Sequence, residues 1–590
     1  MTSHGRYGPE AAMTGGEALV RALAAHGARM AFGIPGTHNL EIYRHLEPYG
    51  IRHLTPRHEQ GAGYAADAYA RVTGRPGIAI TTTGPALLNI AAAAGQAYSD
   101  SVPLLIVSPG MPLRHPRQPT GMLHEMRSQT EALRGVCAFS HRVSTVEEIG
   151  AAVARAFTLF RTERPRPVHV EVPLDLLETA ERVGGVRLAP PSAERRPGAA
   201  PVREAAGALL AARRPALVLG GGARGAGAEC RALAEELGAF VVTTANGKGI
   251  VDESHPLSLG VSLHSPSVQK ALADCDVVLA VGTELAESDL WSAPPSALGG
   301  TLIRVDVDPA QMYAGLPADV TLVGDARDAL GALGEAVARL RPTVANGGGA
   351  AQATPERHPG GVSEADSGLT AAGTEESAGD SAAPTAHGSA AHGSAAHAVV
   401  ALRGERDAET AARDARWIPY LRAIRGVLDE DAVITSDSAQ CCYYGAIPHL
   451  PVGPRGRYLH PTGFGTLGYA LPAAIGAKSA YPGRQVVALS GDGGLQFTVQ
   501  ELATAAQLGL PLPVVVFDNG GYGEIRDEMK ARGDTPTAVD LPRVDLPALC
   551  RAYGGDGTHA ASPGALAEAL ARALKTPGPT VITVPEESTL

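Results

Sequence analysis

The sequence predicts an α/β protein of three open parallel-sheet domains, and three observations carry that prediction. The first is length: 590 residues are too many for one core and, at roughly 150 residues per domain, ask for three or four. The second is an alternation of short apolar runs, such as Leu217-Val218-Leu219 and Val514-Val515-Val516-Phe517, with Ala-rich helical stretches such as Glu501-Leu502-Ala503-Thr504-Ala505-Ala506. Apolar runs of strand length separated by helices are the pattern of buried parallel sheets. The third is a break in that pattern. No Phe, Trp or Tyr occurs between Tyr313 and Trp417, and residues 342–415 are rich in Ala, Gly, Ser, Thr and Glu, a composition that buries too little apolar surface to offset its ordering entropy.

These observations divide the chain into a disordered N-terminus (1–12), a first domain (13–185), a second (200–340), a disordered linker (341–415) and a third domain (416–590). In the linker an Ala-His-Gly-Ser-Ala repeat puts His387, His392 and His397 five residues apart, a spacing and context that argue against a metal site. With 44% apolar residues the chain can bury sizeable cores, and a net charge of −11 without long acidic blocks argues against a nucleic-acid footprint. No run of about 18 apolar residues is present, so no membrane span is expected. Met1–Arg6 lacks an apolar signal core, and a cytoplasmic location is expected. The six cysteines carry no pairing pattern and read as reduced thiols; Cys441 and Cys442 read as small buried hydrophobes.

The third domain holds the most specific signal. Gly491-Asp492-Gly493 is followed, after a helical stretch and a buried strand, by Asp518-Asn519-Gly520, with Asp492 and Asn519 27 residues apart. Strand, turn, helix, strand and turn bring two strand ends together at the carboxyl edge of a sheet, where open α/β folds bind ligands. Mg²⁺ prefers near-octahedral oxygen ligation from one or two side chains plus phosphates, so Asp492, Asn519 and the carbonyl of Gly521 form a candidate site for a magnesium-bound diphosphate. The segment resembles the thiamine diphosphate (ThDP) motif of the acetolactate synthase and pyruvate decarboxylase superfamily, with Asp518 in place of its first Asn.

Upstream motifs extend the resemblance to nearly the whole chain except the linker. Arg57-His58-Glu59-Gln60, before an Ala-rich helix, reads on its own as a helix-dipole charge. In the superfamily a Glu in this context hydrogen-bonds the cofactor's pyrimidine and promotes deprotonation of its thiazolium, which implies that role for Glu59. Phe32-Gly33-Ile34-Pro35-Gly36, Thr83-Gly84-Pro85 with Asn89, and Asp100–Leu104 are similar to its pyrimidine-binding domain. The resemblance gives Pro35, Gly36, Thr83 and Asn89 to the cofactor, together with Gln440, Gly465, Gly491, Gly493, Gly494 and Tyr522, with Leu467 as the wedge between its rings. Cys441 stands where relatives carry His, Ala68 and Ala86 where they carry Gly. The second domain has a formal Gly-x-Gly-x-x-Gly at Gly220–Gly225 without the acid expected about 20 residues on, so FAD, which the equivalent domain can hold in acetolactate synthases while in many decarboxylases it holds nothing, is left unassigned. Shared sites in the superfamily imply a homodimer or homotetramer with active sites at subunit interfaces.

For substrate, the segments around Thr37-His38, Leu123-His124-Glu125 and Tyr522-Gly523-Glu524 resemble the 5-guanidino-2-oxopentanoate (2-ketoarginine) decarboxylases, which form 4-guanidinobutanal and carbon dioxide. A buried guanidinium needs carboxylates. Glu524 reads either as that partner or as a helix-dipole charge, and with Glu528 it forms an i, i+4 pair beside Asp527. His124 aligns with a position where related decarboxylases transfer protons with histidine; the other reading is a surface histidine. Thr37, His38 and Glu125 are further candidate substrate groups. Three functions are open at this stage: decarboxylase, acetolactate synthase-like carboligase, and a catalytically silent ThDP-fold protein, against which the presence of Glu59 argues.

Overall fold

The computed structural model describes residues 11–116, 119–190, 195–291, 298–346 and 386–586, the side chains of 342–346 and 386–394 excepted. Three six-stranded sheets, all parallel, occupy the three expected domains. The first contains β1 (Met30–Gly33), β2 (Arg52–Leu54), β3 (Gly77–Ile80), β4 (Leu104–Gly110), β5 (Phe139–Arg142) and β6 (Val168–Pro173), in the order β2-β1-β3-β4-β6-β5. The second contains β7 (Pro215–Leu219), β8 (Phe240–Thr243), β9 (Ser258–Val261), β10 (Val277–Val281), β11 (Thr301–Asp306) and β12 (Val320–Val323), ordered β9-β8-β7-β10-β11-β12.

The third contains β13 (Val433–Ser436), β14 (Arg457–Leu459), β15 (Val486–Gly491), β16 (Leu512–Asp518), β17 (Asp556–His559) and β18 (Pro579–Pro585), in the order β14-β13-β15-β16-β18-β17. The first and third sheets thus share one topology, while the second has the 3-2-1-4-5-6 order of doubly wound nucleotide-binding sheets. Both faces of each sheet are covered, which is why strands such as Val514–Phe517 are continuously apolar and buried.

Helices place the functional segments. Helix α1 (Glu59–Thr73) starts where the His58 ring caps the Gln60 amide, carries Glu59 in its first turn and stops at Gly74 in the left-handed region, φ +68°. It packs on a helix of the third domain that runs from Ala470 to Ala480: Tyr64 meets Tyr469 edge-on, and the Tyr469 hydroxyl donates to Asp67 at 2.6 Å. Asp100 joins all three domains, accepting from Arg71 at 2.6 Å, from Asn246 at 3.1 Å and from the Thr462 hydroxyl. All six cysteines are buried free thiols. No described helix is long and apolar enough to cross a membrane.

Two boundaries differ from the sequence expectation. Ala11 and Ala12 belong to a short strand, Ala11–Thr14, paired antiparallel with Ala180–Val183; residues 1–10 lie outside the described residues. The expected linker contains α2 (Ala386–Asp414), a helix of 29 residues, while residues 347–385 lie outside the described residues. Composition misled here because α2 docks through only a short apolar stripe, Ala395, Val399 and Leu402, and is otherwise fastened by long polar side chains. Val399 is buried, Arg403 donates to the Ser258 carbonyl and Arg406 to that of Leu259 along the edge strand β9, and Glu409 takes the Ser265 hydroxyl and the Ser267 amide. Its Ala, Arg and Glu are strong helix formers.

Candidate active site

The carboxyl ends of β15 and β16 build one half of the site. The chain leaves β15 into a single helical turn, α3 (Asp492–Leu495), and the Asn519 amide just past β16 donates to Asp492 Oδ1 at 3.3 Å. Burial, then the neighbouring Asp518, pushes the Asp492 carboxyl up to about 6. The side-chain oxygen of Asn519 is buried with no hydrogen-bond partner. The Gly521 carbonyl and the Tyr522 ring both lie against Gly493. Asp492, Asn519 and Gly521 therefore come together as expected, and a buried acid beside an orphaned amide oxygen is a donor set suited to Mg²⁺. Among the described residues no group of three or more His, Cys, Asp or Glu is placed to hold a metal ion.

Around this turn, Gly523 opens a helix, α5 (Gly523–Ala531), and the position a Cβ would take there is filled by the Asn519 and Gln440 side chains. Gln440 donates to Asp527 at 2.8 Å. Asp437, wholly buried and raised by burial to about 6, accepts the amide of Gly468 and the Ser490 hydroxyl and so fixes the loop that carries Gly465 and the half-buried Leu467. Gly494 lies against the Asp437 carboxylate.

The other half of the site belongs to the first domain. Glu59 accepts from the Asn89 side chain at 2.9 Å, so two of the expected residues meet. The turn before it is held by the third domain: Glu501, wholly buried on α4 (Glu501–Gln507), accepts the amides of Arg57 at 3.0 Å and His58 at 3.1 Å and the Thr504 hydroxyl at 2.6 Å. A Cβ on Gly61 would lie 2.4 Å from the Glu501 carboxylate. Gly61→Ala is thus expected to overpack the start of α1, lowering stability by about 1–3 kcal/mol and turnover with it; thermal unfolding and kcat check this, and a variant with unchanged values of both would remove Glu501 as the support of this turn.

His38, Thr83 and His124 form a cluster. Thr83 Oγ1 lies 2.5 Å from His38 Nδ1 and 3.4 Å from His124 Nδ1, and the two imidazoles meet edge-on at 5.4 Å. Burial, and then His124, lowers the His38 pKa. His124 itself takes a left-handed backbone, φ +62°, directly over Gly84, whose own φ of +66° and lack of a Cβ admit the His124 carbonyl. Pro35 and Thr37 are exposed at the mouth of this cluster's loop, where the Gly36 amide is capped by Asn39.

Glu125 holds its own loop: its carboxylate accepts the His115 ring at 2.6 Å and the amides of Thr120, Gly121 and Met122. Helix α5 begins at Gly523 with Tyr522 as its cap, so Glu524 and Glu528 stand one turn apart on it with Asp527 beside them; Glu528 is exposed and lies 3.9 Å from Arg532, and Asp527 is taken by Gln440. One of the Glu524 oxygens accepts the Tyr444 hydroxyl at 2.6 Å, and the other, Oε2, is buried with no partner. Tyr444, Asp437 and Glu501 were not singled out in the sequence, because each acts through a partner 31 to 444 residues away.

In the second domain a cleft of about 340 Å³ opens where the three domains meet, lined by Gly220–Gly222, Arg164, Arg224 and Asp289 among others. The glycine turn is bonded to the neighbouring loop, Gly220 to Val281 and Gly222 to Gly282. Within one chain no hydrogen bond among the described residues joins the Glu59 cluster to the Asp492 cluster.

Comparisons with known proteins agree with this layout. Residues 13–132 match the N-terminal TPP binding domain of the thiamine pyrophosphate enzymes, 202–333 their central domain and 440–584 their C-terminal TPP binding domain. A probable 2-ketoarginine decarboxylase, AruI, of Pseudomonas aeruginosa is 41% identical over 92% of this chain and 89% of its own length. The acetolactate synthase large subunit of Corynebacterium glutamicum is 33% identical over 89% of this chain and 78% of its own length, and that of Parasynechococcus marenigrum 31% over 97% and 87%.

Proposed function

The chain belongs to the thiamine pyrophosphate enzymes, and on that premise we propose that it decarboxylates a 2-oxo acid with a cationic tail, 5-guanidino-2-oxopentanoate, to 4-guanidinobutanal and carbon dioxide. The observation that carries the substrate is Glu524, a carboxylate just past the candidate metal-binding segment with a buried oxygen that no group among the described residues satisfies. An unpaired buried carboxylate oxygen is costly and is compensated by a charged donor such as a guanidinium. The similarity to AruI supports the same substrate class.

ThDP, when bound, supplies the electron sink for loss of carbon dioxide. The chain supplies the rest. Asp492, Asn519 and Gly521 would hold the Mg²⁺ that anchors the diphosphate, with Gly491, Gly493, Gly494 and Gln440 around it. Glu59, preset by Asn89 and by the Glu501-held turn, would govern the proton on the pyrimidine. His38 and His124, bridged by Thr83, would exchange the proton that ends the reaction. Carrying over the shared sites of the superfamily, the complete site is proposed to assemble from Glu59 of one subunit and the Asp492 cluster of a second copy.

The test is a panel of 2-oxo acids with ThDP and Mg²⁺, following carbon dioxide and identifying products by mass. Aldehyde from 5-guanidino-2-oxopentanoate is the expected result. A C–C coupled product from pyruvate would overturn it in favour of an acetolactate synthase-like carboligase.

A further inference from the structure

We propose that Tyr444, clamped by Arg413 of α2, is the positioning residue that sets Glu524 for recognition of a cation; the inference rests on the reading of Glu524 given above. The Tyr444 hydroxyl occupies one oxygen of Glu524 at 2.6 Å, which leaves the other as the buried, unpartnered acceptor. Without that bond the carboxylate is free to rotate, and its two oxygens become equivalent. The tyrosine ring is in turn held on several sides. The Arg413 guanidinium lies 3.9 Å from its centroid, Trp417 stacks at 6.3 Å, and Trp291 meets it edge-on at 5.5 Å.

Arg413 is exposed on one side and bonded on the other. Its guanidinium donates twice to Asp414, at 2.6 and 3.2 Å, and Asp414, wholly buried, also accepts from His449 at 2.9 Å. Burial raises the Asp414 pKa, but the bonds from His449, Arg413 and Thr410 outweigh it and hold the carboxyl at about 2. A planar cation held in a fork by a carboxylate and laid on an aromatic face is a rigid arrangement that a lysine does not reproduce. Helix α2, fastened to the edge of the second sheet by Arg403, Arg406 and Glu409, thereby ends against Tyr444, one hydrogen bond from Glu524.

The experiment compares Tyr444→Phe, Arg413→Ala and Arg413→Lys with the parent on 5-guanidino-2-oxopentanoate and on 2-oxohexanoate. Tyr444→Phe keeps the ring and removes one bond to a charged group, so kcat/KM for the guanidino acid is expected to fall about tenfold, mostly through KM, with the aliphatic acid within about twofold. Arg413→Ala should move the same ratio in the same direction, and Arg413→Lys should recover part of it. An equal loss on both substrates, or none on either, overturns the proposal; should Tyr444→Phe fail to fold, the Arg413 pair decides by the same ratio. Glu524→Gln is run beside them. A selective loss there with an unselective loss in Tyr444→Phe overturns this inference alone, whereas an unselective loss in Glu524→Gln removes the reading of Glu524 and this inference with it.

Discussion

Replacing Glu59 by glutamine is expected to cost about 10²- to 10⁴-fold in kcat, the range by which a positioned acid or base contributes, while leaving the fold and cofactor affinity near those of the parent. The structure makes the substitution close to silent for folding. Glu59 is partly exposed, its carboxylate makes one side-chain bond, to Asn89, and its helix is started by the His58 cap and held by Glu501 rather than by Glu59 itself. A glutamine of the same shape still accepts from Asn89. What it cannot do is exchange a proton with the pyrimidine. The measurements are kcat, ThDP affinity and thermal midpoint on one preparation; near-normal turnover would refute the role, and a joint fall of all three would make Glu59 a structural residue.

What the sequence disclosed and what it hid follow from the distance over which each feature is built. Asp492 and Asn519 were legible because the sheet fixes their relation locally: two adjacent parallel strands, β15 and β16, end side by side, and each donates its first loop residues. The three-domain division was legible for the same reason, since buried parallel strands announce themselves as apolar runs. Helix α2 was not, because a helix docked by arginines onto backbone carbonyls has the composition of a linker. Nor was the fate of Glu125, since a carboxylate satisfied by the amides of its own loop is indistinguishable in sequence from one that waits for a ligand. Tyr444 and Glu524 are 80 residues apart and meet only in the fold.

Glu524→Gln carries the second large expectation, and here activity and stability should move in opposite directions. If Glu524 pairs with a guanidinium, removing its charge leaves a buried cation unpaired in the bound state, a loss of about 3–5 kcal/mol, or roughly 10²- to 4 × 10³-fold in kcat/KM for the guanidino acid. An aliphatic 2-oxo acid of similar length loses no ion pair and should keep its kcat/KM or gain. The free protein behaves differently. The carboxylate oxygen that the fold buries without a partner is a cost in the absence of substrate, and a neutral amide in the same place carries less of it, while its carbonyl still accepts the Tyr444 hydroxyl. The thermal midpoint of the ligand-free variant is therefore expected to stay level or rise. Equal losses on both substrates, with a lower midpoint, would mean that Glu524 serves the fold through Tyr444, and the source of substrate selection would then lie elsewhere in the site.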